Sequence, residues 1–500
     1  MRGEETSKMA MFLQHVAKIF MFLCAVICTL AAAVETTMMG YLLAILAIVF
    51  LYVGCVKKGL GLPQISRVSG KLIVVLIIVG GGALIVRGAV PVPASWDVDT
   101  IFHAAEQLIR EGHVYDEWSY YGGTNSYFMQ YSNNRGLFFY LYLWLRVWSA
   151  LGFEPTIELA QGLSVLSIAV GVWFTLSSAE CIFDNRGVFL CGSMILTCIP
   201  IYFYGFITYS DTMAFPYAAI LCYLILNVEN HRCILYFATI GFFAALGYIF
   251  KPFLVALVIA VGIYIILKHK VKRVVRWLSP LLLTFCICVL GSTYFLGHLP
   301  FFDYSTEDAY KFPVEHWLML GLSENGNWNA EDYGYTYEQP TYEDKRAADR
   351  IRIVERLSQR DNIGKMAAFY FKKTKNLFSD PALMINYSLP NRSNGTDAFF
   401  HAILETSTGR GVLFGWQMIL LIGILLGMVN EFKNELSPLF IVKLAFLGEF
   451  LILMLWEQQP RYLFHYYPAM IIMCVDGLLY LINFLSAGSL RLKRKNAMTR

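Results

Sequence analysis

The sequence predicts an all-α polytopic membrane protein, a helical bundle of about 12 transmembrane spans flanked by interfacial helices and one large polar loop. Three observations carry that prediction. Of 500 residues, 57% are hydrophobic and only 15% are charged, and the mean hydropathy is +0.53, too apolar for a water-soluble fold. The apolar residues fall in runs of roughly 17–25, the length that crosses a bilayer. Basic residues gather in short stretches between those runs, the pattern that orients a membrane chain. The net charge of +4 is small and concentrated in short loops, so it speaks to topology and not to a nucleic-acid partner.

Taken in order, spans are predicted over 11–34 and 39–56. This is an uncleaved pair, because the apolar start lacks a small-residue cleavage pattern. A third span, 72–86, follows Lys57, Lys58, Arg67 and Lys71. Beyond a polar stretch, 87–136, lies 137–151, apolar but carrying Arg146 with Tyr140, Tyr142, Trp144 and Trp148. Counting it as a span inverts every basic cluster on one side of it. Tyr and Trp favour the headgroup level, so this segment is predicted to be interfacial or re-entrant. Six spans follow, over 159–176, 188–205, 212–226, 234–250, 253–267 and 278–296, with Lys268, Lys270, Lys272, Arg273 and Arg276 in one connection. The long polar stretch 297–411 contains amphipathic helical patterns at 347–359 and 366–377. The last spans are 412–430, 438–456 and 462–484, followed by Arg491, Lys493, Arg494 and Lys495. Placing the three basic clusters in the cytoplasm puts both termini inside and both polar stretches outside a cell membrane. The chain divides into an N-terminal two-helix extension (1–70), a core (71–296), a large outer loop (297–411) and C-terminal spans with a basic tail (412–500). Its 11 cysteines lie in or beside apolar runs, which argues against a disulfide-stapled outer domain.

This topology brings several polar residues to one outer level: Asp97 and Asp99, Asn134 and Arg135, Tyr209 and Asp211, Lys251, and Arg461 with Tyr462. A charge at mid-bilayer costs roughly 2.5–3.5 kcal/mol, so charges at span ends need a reason. Each has an ordinary one. Lys251 can snorkel to headgroups, Arg461 can pair with Glu457, and Asp211, Asp97 or Asp99 can cap a helix. Together they suit group transfer from a polyprenyl-phosphate-linked sugar. Negative charge grows on the departing phosphate, where Arg and Lys stabilise it, and the acceptor hydroxyl needs a base such as a carboxylate.

The order of these motifs resembles the GT-C glycosyltransferases, and within them family 39 with its protein mannosyltransferase and lipid A aminoarabinose transferase relatives. The resemblance covers 70–296 and 437–484. It implies that Asp97, by its spacing to Ala105 and Gly112, is the catalytic acid–base residue, with Asp99 as the other candidate. Asp211 joins them in the catalytic set, and Tyr209 resembles the family's outer-turn Tyr. Lys251 resembles the family's outer Lys, and Pro460-Arg461-Tyr462-Leu463 resembles its late-helix motif; with Arg135 these are the implied donor-phosphate contacts. Glu315 and His316, in Val314-Glu315-His316-Trp317, resemble an outer-loop segment at the substrate. Arg135 departs from the Lys-Pro that relatives often have, and the first two spans precede the usual start of the core.

The implied partners are a polyprenyl-phosphate sugar donor and a glycan, lipid or protein acceptor. No cofactor is implied beyond a divalent metal for which Glu315 and His316 supply two candidate ligands and no third. Aromatic and amide residues around Trp328 in the outer loop suit sugar rings. The other function classes are a transporter, for which Lys443, Glu449 and Asp476 lie inside late spans, and a lipid-linked sugar flippase. A transporter normally shows two similar halves, and no internal repeat is evident.

Overall fold

The computed structural model describes residues 2–52, 67–88, 96–114, 123–231, 233–388 and 397–498. Among them there is no strand, and the helices follow in order. The first third holds α1 (Arg2–Glu35), α2 (Met38–Tyr52), α3 (Arg67–Gly88), α4 (Trp96–Glu111), α5 (Thr124–Gln130), α6 (Arg135–Ala150) and α7 (Ile157–Ile182). Then come α8 (Asn185–Leu196), α9 (Ile199–Tyr204), α10 (Ser210–Leu226), α11 (Ile234–Phe250), α12 (Val255–Lys268) and α13 (Val271–Gly297). The polar stretch folds into α14 (Glu307–Tyr310), α15 (Val314–Gly321), α16 (Ala330–Tyr337), α17 (Tyr342–Ser358), α18 (Ile363–Phe378), α19 (Ile385–Ser388) and α20 (Asp397–Leu404). The chain closes with α21 (Ser407–Glu431), α22 (Pro438–Leu455) and α23 (Tyr467–Met498).

Among the described residues, six helical segments are long and apolar enough to cross a membrane: Lys8–Glu35, Ile157–Ile182, Val271–Gly297, Ser407–Glu431, Pro438–Leu455 and Pro460–Ala487. Shorter apolar helices cover Met38–Val49, Val68–Gly82, Ser210–Leu226, Ile234–Phe250 and Pro252–Lys268. The span expected over 188–205 is divided at Thr197 and Cys198, because Pro200 lacks the N–H that would continue α8. Pro200 instead sits in the first turn of α9, where its missing N–H costs nothing.

The bundle closes where small residues let backbones meet. A Cβ on Gly477 of α23 would collide with the Gly423 carbonyl of α21, and one on Gly241 of α11 with the Leu281 carbonyl of α13. Beside the bundle, α4 packs on α6. The α4 helix buries Val98, Ile101, Phe102, Ala105 and Leu108, while α6 buries Leu137, Phe138, Leu141 and Leu145, both at the three-and-four spacing of an amphipathic face. At 16 residues, α6 extends about 24 Å, short of a bilayer core of ~30 Å.

The two amphipathic patterns of the outer stretch are α17 and α18, each slightly longer than its pattern and each started by a side-chain cap. Thr341 accepts from the Asp344 N–H and Asn362 from the Lys365 N–H. One buried cation fixes this layer to the bundle. Lys373 of α18 donates to the carbonyls of Gly321 (2.7 Å), Met454 (2.9 Å) and Trp456 (2.8 Å).

Lys71 differs from its expected setting in a loop, and Lys443 lies inside a span as expected. Lys71 is one turn inside α3 and buried, pairing with Glu180 at 2.8 Å and donating to Ser177 at 3.1 Å. Lys443 is closed in by Glu431 at 2.7 Å, Asp476 at 2.8 Å and the Gly427 carbonyl at 2.9 Å. Lys57 and Lys58 lie outside the described residues.

Candidate active site

Asp97 stands in the first turn of α4, where free N–H groups and the helix dipole favour a carboxylate. Tyr209 and Asp211 flank the start of α10. The turn before that helix is held by Thr212, whose hydroxyl donates to the Tyr204 carbonyl at 3.3 Å, and by Ser164 of α7 bonded to Thr208 at 2.8 Å. Lys251 is the residue at which α11 stops: its own N–H still bonds the Gly247 carbonyl at 2.9 Å, and Pro252 opens a 3-10 turn. Arg461 lies in the 3-10 helix Pro460–Tyr466 that leads into α23.

These four segments converge. Tyr209 donates its hydroxyl to Asp97 Oδ2 at 2.7 Å. Asp211, 1% exposed, takes Lys251 Nζ at 2.7 Å on Oδ1 and Arg461 Nη1 at 3.1 Å on Oδ2. The Arg461 guanidinium also lies 4.7 Å from the Tyr209 ring centroid and 5.1 Å from that of Tyr462, while Lys251 Nζ is 4.2 Å from Tyr462. Tyr462 donates to Glu457 Oε2 at 2.6 Å. Asp97, Tyr209, Arg461, Asp211 and Lys251 thus form one continuous polar chain. Burial, with the Asp97 charge adding to it, holds the Tyr209 phenol well above its ordinary range, so it stays a proton donor. Its bond leaves Asp97 Oδ1 as the oxygen not engaged by Tyr209.

The chain lines a cavity of about 470 Å³, a size typical of small-molecule sites. Asp97, Tyr209, Asp211, Lys251, Arg461 and Tyr462 all face it. Aromatic residues complete the wall, among them Tyr131, Tyr204, Tyr248, Trp317, Trp328, Tyr387 and Trp456. Lys251 and Arg461 gather on Asp211, while Asp97 and Glu457 bring two further carboxylates to the same cavity, so any capacity for an anion rests on this local pair of cations and not on a net positive charge.

The other expected residues lie elsewhere. Asp99 points along its own helix to His103 Nε2 at 3.3 Å. That contact, then Glu106, raises the His103 pKa against the opposing effect of burial. Arg135 is buried behind the cavity. Its Nε donates to the Phe128 carbonyl at 3.0 Å, its Nη2 to Met129 Sδ at 3.2 Å, and it reaches Glu307 only at 3.9 Å. The polar neighbours Asn133 and Asn134 line the cavity in its place.

Glu315 is held by Arg350 at 2.7 Å and Arg346 at 3.3 Å, which keep it below the usual carboxylate range although burial opposes them. His316 is fully buried and bonded through Nδ1 to Thr336 at 2.7 Å, and burial drives its pKa down to about 3. Glu315 and His316 therefore serve different partners. No group of three or more His, Cys, Asp or Glu able to hold a metal occurs among the described residues.

A family model described as conserved hypothetical integral membrane protein matches residues 11–477. The chain belongs to that family. No curated protein and no solved structure matches it. The membrane setting of this integral membrane protein family agrees with the long apolar helices, several of which surround the cavity.

What sequence reasoning missed is mostly aromatic: Tyr131, Tyr204, Tyr248, Trp317, Tyr387 and Trp456. Their signal was position, since Tyr248 and Trp456 lie at the same ends of α11 and α22 that carry Lys251 and Arg461. Glu457 was read as a partner for Arg461. It instead accepts from Tyr462 and Gln459, leaving Arg461 to Asp211.

Proposed function

We propose that this family member is a glycosyltransferase of the GT-C kind, moving a sugar from a polyprenyl-phosphate donor to a cell-envelope acceptor on the extracytoplasmic face. The observation that carries this reading is the sharing of one cavity by a carboxylate, Asp97, and a cation pair, Lys251 and Arg461. The bundle around it offers apolar walls for a lipid tail. In the proposed step the acceptor oxygen bonds the anomeric carbon as the bond from that carbon to the phosphate oxygen breaks. The acceptor proton passes to Asp97, and the polyprenyl phosphate leaves with the bonding electrons. Arg461 and Lys251 stabilise its charge in a water-poor site, and Tyr209 fixes the rotamer of Asp97. The basic clusters at the opposite ends of the helices from Lys251 and Arg461 support an extracytoplasmic cavity with cytoplasmic termini.

The transporter reading finds less support, because Lys443 is neutralised by its two carboxylates in a static clamp between α21, α22 and α23. The test is transfer of labelled sugar from polyprenyl phosphate to cell-envelope extracts in proteoliposomes. Asp97→Asn keeps size and an acceptor for Tyr209 and should cut transfer by about 10²-fold or more, with expression and donor binding retained. Asp99→Asn, paired with His103 on its own helix, should change little. Sugar transfer that survives both substitutions, or donor moved across the bilayer and never consumed, would sink the proposal.

A further inference from the structure

We infer that the outer-loop side of the cavity is a subsite for a neutral saccharide, which names the acceptor class and rests on the transferase reading. The cavity wall changes character along its length. Tyr248, Phe250, Val255 and Ile452 come from apolar helices of the bundle, whereas Trp317 and Trp328 come from the outer polar stretch. A row of rings joins the two sides. Phe253 lies 6.5 Å from Trp456, Trp456 lies 6.5 Å from Trp317 with the indoles nearly parallel at 15°, and Trp317 lies 5.9 Å from Tyr131. The row ends beside the base. Tyr131 packs 5.1 Å from Tyr127, and Tyr127 is close enough to Asp97 to feel its charge.

The indoles are held rigidly. Glu457 donates its N–H to the Trp317 carbonyl at 3.1 Å, and Lys373 bonds the Trp456 carbonyl at 2.8 Å, so the backbones under both rings are fixed to each other. Both side chains are only half-buried. A hexose offers an apolar C–H face that lies flat on such a ring and a rim of hydroxyls that needs donors and acceptors. The amides of Asn133 and Gln459 line the same cavity.

The alternatives fit less well. A peptide would present amides along its whole length, whereas much of the wall between the two sides is aromatic ring. An anionic polymer would set its charge against Asp97 and Glu457, and the two cations that face the cavity are those the transferase reading gives to the donor phosphate. A lipid acceptor has no use for an amide rim.

The experiment uses the full-length protein in nanodiscs and, as probes, neutral trisaccharides of glucose, galactose, mannose and N-acetylglucosamine. Binding is followed by tryptophan fluorescence and equilibrium dialysis. At least one probe should bind saturably, and Trp317→Ala and Trp456→Ala should each weaken it about tenfold. If an Ala variant fails to fold, Trp317→Leu keeps apolar volume without a π face and should show the same loss. Absence of saturable binding by the parent overturns the inference, as does parental affinity in a folded Trp317→Leu. Sugar transfer to a peptide or lipid that ignores Trp317 overturns the subsite and leaves the transferase standing. Tryptophan-dependent saccharide binding without consumption of any lipid-linked sugar does the reverse.

Discussion

Replacing Asp211 with Asn tests the charge arrangement most sharply, because it should move stability and anion affinity in opposite directions. Asp211 is 1% exposed and receives Lys251 at 2.7 Å and Arg461 at 3.1 Å. Removing one member of a buried ion pair costs about 3–5 kcal/mol, because its partner is left charged and unmatched. Asn keeps one carbonyl oxygen for one of the two cations, so the lower figure, about 3 kcal/mol, is expected. For a chain of 500 residues that corresponds to a fall of about 3 °C in the melting midpoint. The same change leaves at least one of the two cations free for a ligand phosphate. A hydrogen bond to a charged group is worth about 1.5–3 kcal/mol net, so release of even part of one pair should tighten binding of a short-chain polyprenyl phosphate about tenfold. Turnover should fall, since the cations lose the anchor that aims them. The assays are thermal denaturation in detergent and titration with polyprenyl phosphate in nanodiscs. A variant with the parent's midpoint and the parent's affinity would show that Asp211 neither neutralises nor positions Lys251 and Arg461.

Three further outcomes are expected. Tyr209→Phe removes the 2.7 Å bond to Asp97 but keeps the ring under Arg461. It should lower kcat several-fold with donor affinity little changed, whereas a joint loss of both would make Tyr209 a donor contact and not a positioning residue. Gly477→Ala should abolish folding or sharply lower thermal stability, because its Cβ meets the Gly423 carbonyl, while Gly80→Ala, with nothing near its Cβ, should be neutral; equal behaviour would refute the close approach of α21 and α23. Asp349 is raised to about 6 by burial, with Glu315 and Asp332 adding to it and Thr336 and Arg352 opposing. Its folded state therefore holds the proton more tightly than the unfolded state, and stability falls as pH rises from about 4 to about 6. Asp349→Asn should flatten that slope and gain about 1 kcal/mol at neutral pH after allowing for solvent screening, as read by melting midpoints between pH 4 and 8.

Most of the cavity's charged wall was legible in the sequence because a charge at the end of an apolar run is conspicuous and expensive. Asp97, Asp211, Lys251 and Arg461 stood out for that reason, although they span more than 350 positions of the chain. Arg135 stood out equally and faces away, since the first-order cost of burying a guanidinium says nothing about which partner meets it; the Phe128 carbonyl and Met129 sulfur do so locally. The aromatic half of the wall was hidden by abundance. With 37 Phe, 30 Tyr and 10 Trp, a ring at any one position carries little information, and only the fold distinguishes Trp317 from its neighbours. The break between α8 and α9 was signalled by Pro200 inside an otherwise continuous apolar run. Lys71 was misleading as a loop charge because its partner, Glu180, is more than 100 positions away.

The ion triplet at Asp211 also has a timetable. Lys251 leaves the ribosome soon after Asp211, but Arg461 is 250 residues further on. At about 5–20 residues per second, that delay is on the order of ten seconds or longer. Throughout it the nascent chain holds a carboxylate and a single ammonium at the edge of the bilayer, with neither Arg461 nor the Trp456 wall yet in place. A ribosome that stalls before the final two helices therefore releases a product with no closed site and with exposed polar groups. Closure of the site thus waits on the turn that carries Arg461, between the final two helices.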